Sequence, residues 1–263
     1  MGHNRPQMKP EAARITVAPE VGNGHLCLVG AGEYLDGMAP VDRALLALTP
    51  AAARNKPPRV ICLPTAAGTE GEGVVSRWMA MGVEHFRALG ADVEALRIVD
   101  RTTADDEAMA SVIRQADLVY LSGGKPPHLL DSLRATATWR AILEVLGRGG
   151  VLAGCSAGAM ILGSWIPNWP ALTTRRAAFG LLPNAIVLPH FDQMFGRLAV
   201  LTQIARPKGG YLLGVDGMTG LLVGTDGWRV LGERRVVIDD GNGRQELRAA
   251  DDATGQSLPP PHG

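Results

Sequence analysis

Short apolar runs alternate with longer segments of helical period along the first two thirds of the chain. Five of these runs predict buried strands, at 25–31, 59–63, 92–98, 117–121 and 150–154. The segments between them carry apolar residues at helical spacing and predict helices at 41–54, 74–89, 103–115, 126–134 and 137–147. Strands that alternate with helices pair in parallel and carry helices on both faces of the sheet. We therefore predict a three-layer α/β sandwich with a mostly parallel central sheet.

The last third of the chain changes to short, closely spaced apolar runs that are separated by turn residues. These runs predict an antiparallel meander, or an edge extension of the same domain, with strands at 211–216, 220–223, 228–231 and 234–238. Both ends of the chain are polar and contain proline. We therefore predict a flexible arm at 1–22, a single α/β domain at 23–243 and a flexible tail at 244–263.

Charge and composition argue against several classes of function. The 263 residues include 26 Lys plus Arg and 26 Asp plus Glu, so no basic excess favours nucleic acid or an anionic membrane as a partner. The three cysteines lie far apart without metal-binding spacing, and the N-terminus has no apolar signal region. No apolar run is long enough to span a membrane. We expect a cytoplasmic protein with free thiols, no metal and no other cofactor.

A candidate nucleophile follows the fifth predicted strand, in Gly154-Cys155-Ser156-Ala157-Gly158. A G-x-S-x-G run between a strand and a helix is typical of a nucleophile elbow, whose strained corner tolerates only small neighbours. The backbone N–H of Ala157 and that of Gly124, after the fourth strand, are candidates for an oxyanion hole. Cys155 is a rival nucleophile, although alanines stand where an elbow centred on it needs glycines. The alternative is a glycine-rich packing turn with an incidental serine.

Several further segments, in the same order and at similar spacing, resemble the aspartyl dipeptidase and cyanophycinase family of serine peptidases. That family shares its flavodoxin-like fold with class I glutamine amidotransferases. Together with the serine turn, the similar segments cover about residues 26–232 and comprise Val29-Gly30-Ala31-Gly32-Glu33, Tyr120-Leu121-Ser122-Gly123-Gly124, Gly180-Leu181-Leu182-Pro183, Pro189-His190-Phe191, Gly214-Val215-Asp216 and Gly220-Leu221-Leu222-Val223.

The resemblance implies that Ser156 is the nucleophile and His190 the general base of a peptidase that forms an acyl-enzyme. The substrates that it implies are small peptides, either Asp-containing dipeptides or β-Asp-Arg units of the cyanophycin type. An esterase or amidase of the same fold is an alternative, as is an inactive family member that only binds. A homodimer is left open.

The chain departs from the family in its catalytic acid, because residues 157–189 contain no Asp or Glu. Asp192 lies two residues after His190, as the acid does in class I amidotransferase triads, and is our preferred candidate to orient the imidazole. Glu33 and Asp216 are alternatives from other strand ends. Asp192 is equally consistent with a solvated residue or a helix N-cap, and a dyad without an acid is the third arrangement.

The substrate pocket departs from the family as well. Lys125 follows Gly123-Gly124 where the family often has Asn or Gln, so it is a candidate to pair with a substrate carboxylate, or else a solvated surface residue. Glu33 and Arg197 are the other candidate substrate contacts. Arg197 is the single arginine in 191–198, whereas cyanophycin-type enzymes have an arginine-rich run there. Arg175 and Arg176 are candidates to recognise an anion in its place.

Overall fold

The computed structural model describes residues 15–168, 174–193, 206 and 208–249, which contain the strands and helices named here. In chain order the strands are β1 (His25–Val29), β2 (Arg59–Leu63), β3 (Asp92–Ala95), β4 (Leu118–Leu121), β5 (Val151–Cys155), β6 (Gly163–Pro167), β7 (Arg175–Ala177), β8 (Leu182–Leu188), β9 (Tyr211–Val215), β10 (Thr219–Gly224), β11 (Gly227–Gly232), β12 (Arg235–Asp239) and β13 (Arg244–Arg248). The helices are α1 (Ala39–Ala47), α2 (Glu72–Ala88), α3 (Arg101–Ala104), α4 (Glu107–Ile113), α5 (Pro126–Leu133), α6 (Ala137–Gly147) and α7 (Ala157–Leu162).

The first sheet has seven strands in the order β11-β10-β1-β5-β4-β2-β3. Its last five strands pair in parallel, whereas β10 runs antiparallel to β1 and forms a hairpin with β11. Side chains alternate between its faces: Cys27 and Val29 of β1 pack with Phe86 of α2 on one face, and Leu26 and Leu28 point to the other. The predicted α/β fold with a mostly parallel sheet flanked by helices is confirmed.

A second sheet of six strands, β13-β12-β9-β8-β6-β7, shares the hydrophobic core on the other face of the first, and α7 contacts β1 and β5 of the first sheet and β6 and β8 of the second. Only β6, β8 and β9 pair in parallel within it, so it is largely antiparallel. The four strands predicted for the last third all form: β10 and β11 extend the edge of the first sheet, as one of the two predicted alternatives has it, whereas β9 and β12 belong to the second sheet. Every residue of β10 is buried, which suits its place between β1 and β11.

Two predicted helices are shorter than their periodicity suggested. The segment 103–115 forms two helices, because the Asp106 side chain accepts a hydrogen bond from the Ala108 amide at 2.7 Å and begins α4 anew. The segment 41–54 is α-helical only to Ala47, three residues before Pro50, which cannot continue a helix, and a 3₁₀ turn follows at Ala52–Arg54.

The ordered fold extends beyond the predicted domain limits at both ends. Ile15 and Val21, which fall in the predicted arm, are buried in the main core. Strand β13, which falls in the predicted tail, pairs with β12. Residues 1–14 of the predicted arm and 250–263 of the predicted tail lie outside the described residues. Among the helices that the structure describes, none has the length and apolarity needed to cross a membrane.

Candidate active site

The carboxyl ends of strands from both sheets converge on one side of the molecule. In the first sheet β1, β4 and β5 are parallel neighbours, so their following loops lie side by side. In the second sheet β8 and β9 are parallel and lead into His190 and Asp216. The predicted nucleophile and the predicted base therefore reach this edge from different sheets.

Ser156 stands on a sharp corner between β5 and α7, with φ 51° and ψ −110°. A non-glycine residue rarely adopts such a backbone, and strain of this kind is often found at reactive centres. Its neighbours must be small: a Cβ at Gly154 would lie 2.5 Å from the Gly158 carbonyl carbon, and one at Gly158 would lie 2.5 Å from the Leu121 oxygen. The corner has the geometry that the G-x-S-x-G run predicted.

His190 meets Ser156 directly, with 3.0 Å between its Nε2 and the serine Oγ. Consecutive carbonyls at the end of β1 hold the two residues: Val29 O accepts from the Ser156 amide at 3.0 Å, and Gly30 O from the His190 amide at 3.3 Å. His190 is also strained, with φ 52°. The nucleophile and base predicted from the sequence are thus brought within hydrogen-bond distance, both half-buried.

Cys155, the rival nucleophile, is fully buried and turned away from this contact. Its Sγ lies 2.9 Å from Glu33 Oε2. Burial raises the pKa of the Cys155 thiol well above its usual value, and the Glu33 carboxylate adds to the effect. Because the thiolate is the reactive form of cysteine, this thiol stays protonated and unreactive.

The loop after β4 presents the other predicted oxyanion-hole residue. Leu63 O accepts from the Ser122 amide at 3.2 Å, and Ala66 O accepts from the Lys125 amide at 2.8 Å, so the loop is anchored on both sides of Gly124. Gly124 has φ 142°, and a Cβ there would lie 2.5 Å from Ala66. Neither its amide nor that of Ala157 donates a hydrogen bond to another described residue. Both N–H groups are available to a ligand.

The carboxylates of the three candidate acids form their hydrogen bonds and ion pairs with residues other than His190. Asp192 Oδ1 accepts from the Gly217 amide at 2.8 Å, and its Oδ2 pairs with Arg234; within the described residues no hydrogen bond joins it to His190. Asp216 pairs with Arg235 at 3.2 Å, and burial raises the pKa of Asp216 although Arg235 opposes the shift. The role of Asp192 as the orienting acid is untested, and these contacts favour the alternative of a dyad without an acid. The sequence analysis did not identify Arg234 as the partner of Asp192, because no local pattern links residues that lie 42 positions apart.

Glu33 is only 7% exposed, and both of its oxygens contact the protein. Oε1 accepts from the Gly123 amide at 2.8 Å and Oε2 contacts the Cys155 thiol. Substrate binding by Glu33 stays a prediction, and these contacts favour a role in holding loops together.

The remaining predicted substrate contacts differ in their surroundings. Lys125 is exposed beside Gly124, and its Nζ donates to Thr69 Oγ1 at 3.0 Å. Arg176 pairs with Asp131, and the guanidinium of Arg175 lies 5.3 Å from the centre of the Trp165 ring. Arg197 lies outside the described residues. Over the described part of the chain, no group of three or more His, Cys, Asp or Glu is placed to hold a metal ion.

Comparison with known proteins identifies a family and several relatives of the chain. A family model described as peptidase family S51 matches residues 26–231. A cyanophycinase of Synechococcus elongatus is 28% identical over 167 residues, which are 59% of this chain and 52% of the relative. The chain therefore spans about half the length of that curated relative.

Two solved structures share the fold. The crystal structure of a peptidase from an acI-B1 Actinobacterium superposes with a TM-score of 0.78 at 35% identity, covering 87% of this chain and 95% of the other. A peptidase E candidate from Listeria monocytogenes EGD-e has a TM-score of 0.52 at 19% identity, covering 86% and 99% of the two chains. The second likeness concerns the fold alone.

Proposed function

The chain belongs to peptidase family S51, and from this membership we propose that it is a serine peptidase that cleaves small peptides through an acyl-enzyme. The observation that carries the proposal is the 3.0 Å contact between His190 Nε2 and Ser156 Oγ. A serine hydroxyl is a weak nucleophile at neutral pH until an adjacent imidazole takes its proton.

The proposed reaction uses the dyad of Ser156 and His190 twice, first to form the acyl-enzyme and then to hydrolyse it. His190 Nε2 takes the Ser156 proton while Oγ attacks the peptide carbonyl carbon, and the N–H groups of Gly124 and Ala157 stabilise the resulting oxyanion. The intermediate collapses as His190 returns the proton to the leaving amine, which leaves an ester on Ser156. Water, deprotonated by His190, then attacks this ester and releases the carboxylic acid product, and the proton returns to Ser156 Oγ.

We propose that the dyad works without Asp192, because the Asp192 carboxylate is engaged by Gly217 and Arg234. Asp192→Asn should then change kcat by less than about tenfold, whereas loss of a true orienting acid costs about 10⁴-fold. Steady-state kinetics on a cleaved peptide measure the effect. Arg234→Gln is the matched control, because it breaks the same ion pair but leaves the carboxylate in place. A loss of about 10⁴-fold in Asp192→Asn alone would assign Asp192 to a triad.

We propose that the substrate carries a carboxylate close to the scissile bond and that Lys125 binds it. Lys125 is exposed and directly follows Gly124, and its Nζ, which donates to Thr69 Oγ1, belongs to the loop that carries the proposed oxyanion hole. Asp-X dipeptides and β-Asp-Arg peptides both have such a group, and the cyanophycinase relative is consistent with the second.

Lys125→Gln should raise KM about 10-fold for an Asp-X peptide and leave KM for the matched Asn-X peptide within about twofold, since a charge-assisted hydrogen bond contributes about 1.5–3 kcal/mol. Lys56→Gln is the control, because Lys56 is an exposed lysine just before β2, at the opposite edge of the sheet. An equal change for the Asp and Asn peptides would remove Lys125 from substrate recognition.

The substrate class is tested with a panel of Asp-X dipeptides, β-Asp-Arg and isoaspartyl peptides. Turnover of one member names the scissile bond, and no turnover of any member would remove this substrate class. Comparing each cleaved peptide with its ester analogue separates a peptidase from an esterase of the same fold.

A further inference from the structure

Glu33 joins the ends of three neighbouring strands at the proposed active site. It lies four residues after the end of β1, its Oε1 accepts from the Gly123 amide after β4 at 2.8 Å, and its Oε2 lies 2.9 Å from the Cys155 thiol at the end of β5. Its side chain is buried, and no lysine, arginine or histidine of the described chain forms an ion pair with it. A buried carboxylate held by neutral donors alone is costly, so its position calls for an explanation.

The Gly123 contact lies next to the reacting serine. A Cβ at Gly123 would stand 2.7 Å from Glu33 Oε1 and 3.3 Å from Ser156 Cβ, so the glycine backbone fits closely between the two side chains. The Gly123 amide is used by Glu33, whereas the next amide, that of Gly124, donates to no described residue. The two peptide planes are separated only by the φ and ψ of Gly123, and the close packing of Gly123 between Glu33 and Ser156 restricts both angles.

We propose that Glu33 is a positioning residue for the oxyanion hole, which fixes the Gly123 peptide so that the Gly124 N–H faces the carbonyl attacked by Ser156. This inference rests on the proposed function. Anchors at Leu63 and Ala66 hold the outer ends of the same loop, and Glu33 holds its centre. Since an oxyanion forms only as the reaction proceeds, the loss of this alignment should lower kcat and leave KM nearly unchanged.

Three substitutions distinguish the two contacts of Glu33, that of Oε1 with the Gly123 amide and that of Oε2 with the Cys155 thiol. Glu33→Met fills a similar volume but offers no oxygen to the Gly123 amide. Glu33→Gln keeps one carbonyl oxygen for that amide and exchanges the other oxygen for an NH₂ group. Cys155→Ala removes the thiol that contacts Glu33 Oε2 and leaves the contact between Oε1 and the Gly123 amide intact. Glu33→Ala replaces Glu33→Met if the latter does not fold.

The measurements are kcat per active site, with sites titrated by a fluorophosphonate, and amide hydrogen exchange of the segment that contains Gly123 and Gly124. For Glu33→Met we expect kcat per titrated site to fall about 10²-fold, the loss typical of one misplaced oxyanion donor, with KM within about threefold. Exchange of the segment should speed up in the same variant. Glu33→Gln and Cys155→Ala should stay within about fivefold of the parent in kcat, with parental exchange.

The outcomes separate this inference from its premise. A Glu33→Met protein with fewer titratable sites but parental kcat per site would show a purely structural role and overturn the inference. Glu33→Gln falling as far as Glu33→Met would overturn it too, because the negative charge and not the Gly123 hydrogen bond would then matter. A parent protein that takes no label overturns the proposed function, and the inference falls with it.

Discussion

Replacing Ser156 with alanine should lower kcat by about 10⁶-fold, which corresponds to about 8 kcal/mol of activation free energy. The hydroxyl is the only group of the dyad that forms a bond to the substrate, so no neighbouring residue takes over its part. Loss of one member of such a unit costs nearly as much as loss of all of them. The measurement is single-turnover kinetics with a cleaved peptide, on protein whose fold is verified by circular dichroism.

Ser76→Ala serves as the control, because Ser76 lies on α2, where its hydroxyl donates to Glu72 on the exposed surface. It should retain the parental kcat. A Ser156→Ala protein that keeps more than about 1% of the parental kcat would contradict a serine mechanism, since background catalysis by binding alone is far smaller.

Replacing His190 with asparagine should lower kcat by about 10⁴-fold or more, and should slow the reaction of Ser156 with a fluorophosphonate by a similar factor. Within the described part of the chain, the imidazole is the one group that forms a hydrogen bond with Ser156 Oγ, so its loss leaves the hydroxyl proton without that acceptor. Asparagine is chosen because His190 has φ 52°, a conformation that asparagine adopts more readily than alanine.

His128→Asn is the matched control for the loss of an imidazole. His128 lies on α5, where its Nε2 is 2.8 Å from Val99 O, and it takes no part in the proposed site. Its variant should be labelled at the parental rate. Parental labelling of His190→Asn would mean that another group activates Ser156.

The sequence predicted the parts of the fold that depend on local pattern. Helix α6 forms over the predicted residues, and the parallel strands β1, β2, β4 and β5 lie within two residues of their apolar runs. Which sheet a strand joins depends on partners distant in sequence, so the division of β9 to β12 between two sheets could not be read from their similar lengths and compositions.

The candidate site likewise has features that local sequence predicts and contacts that it does not predict. The strained corner at Ser156 follows from small residues at fixed spacing, and the histidine came from the family resemblance. Asp192 contacts Gly217 and Arg234, which lie 25 and 42 positions away, and Glu33 contacts Gly123, which lies 90 positions away. No short-range pattern reports such contacts, so the sequence offered Glu33 only as a candidate substrate contact or an alternative acid.

The central claim is that an imidazole activates the Ser156 hydroxyl, and the position of a covalent label tests it most directly. The protein is treated with a fluorophosphonate and digested with trypsin, and the peptide 149–175, which contains both Cys155 and Ser156, is sequenced by tandem mass spectrometry. We predict one adduct, on Ser156, formed at least about 10³-fold faster than in His190→Asn. An adduct on Cys155, or none on this peptide, would contradict the account.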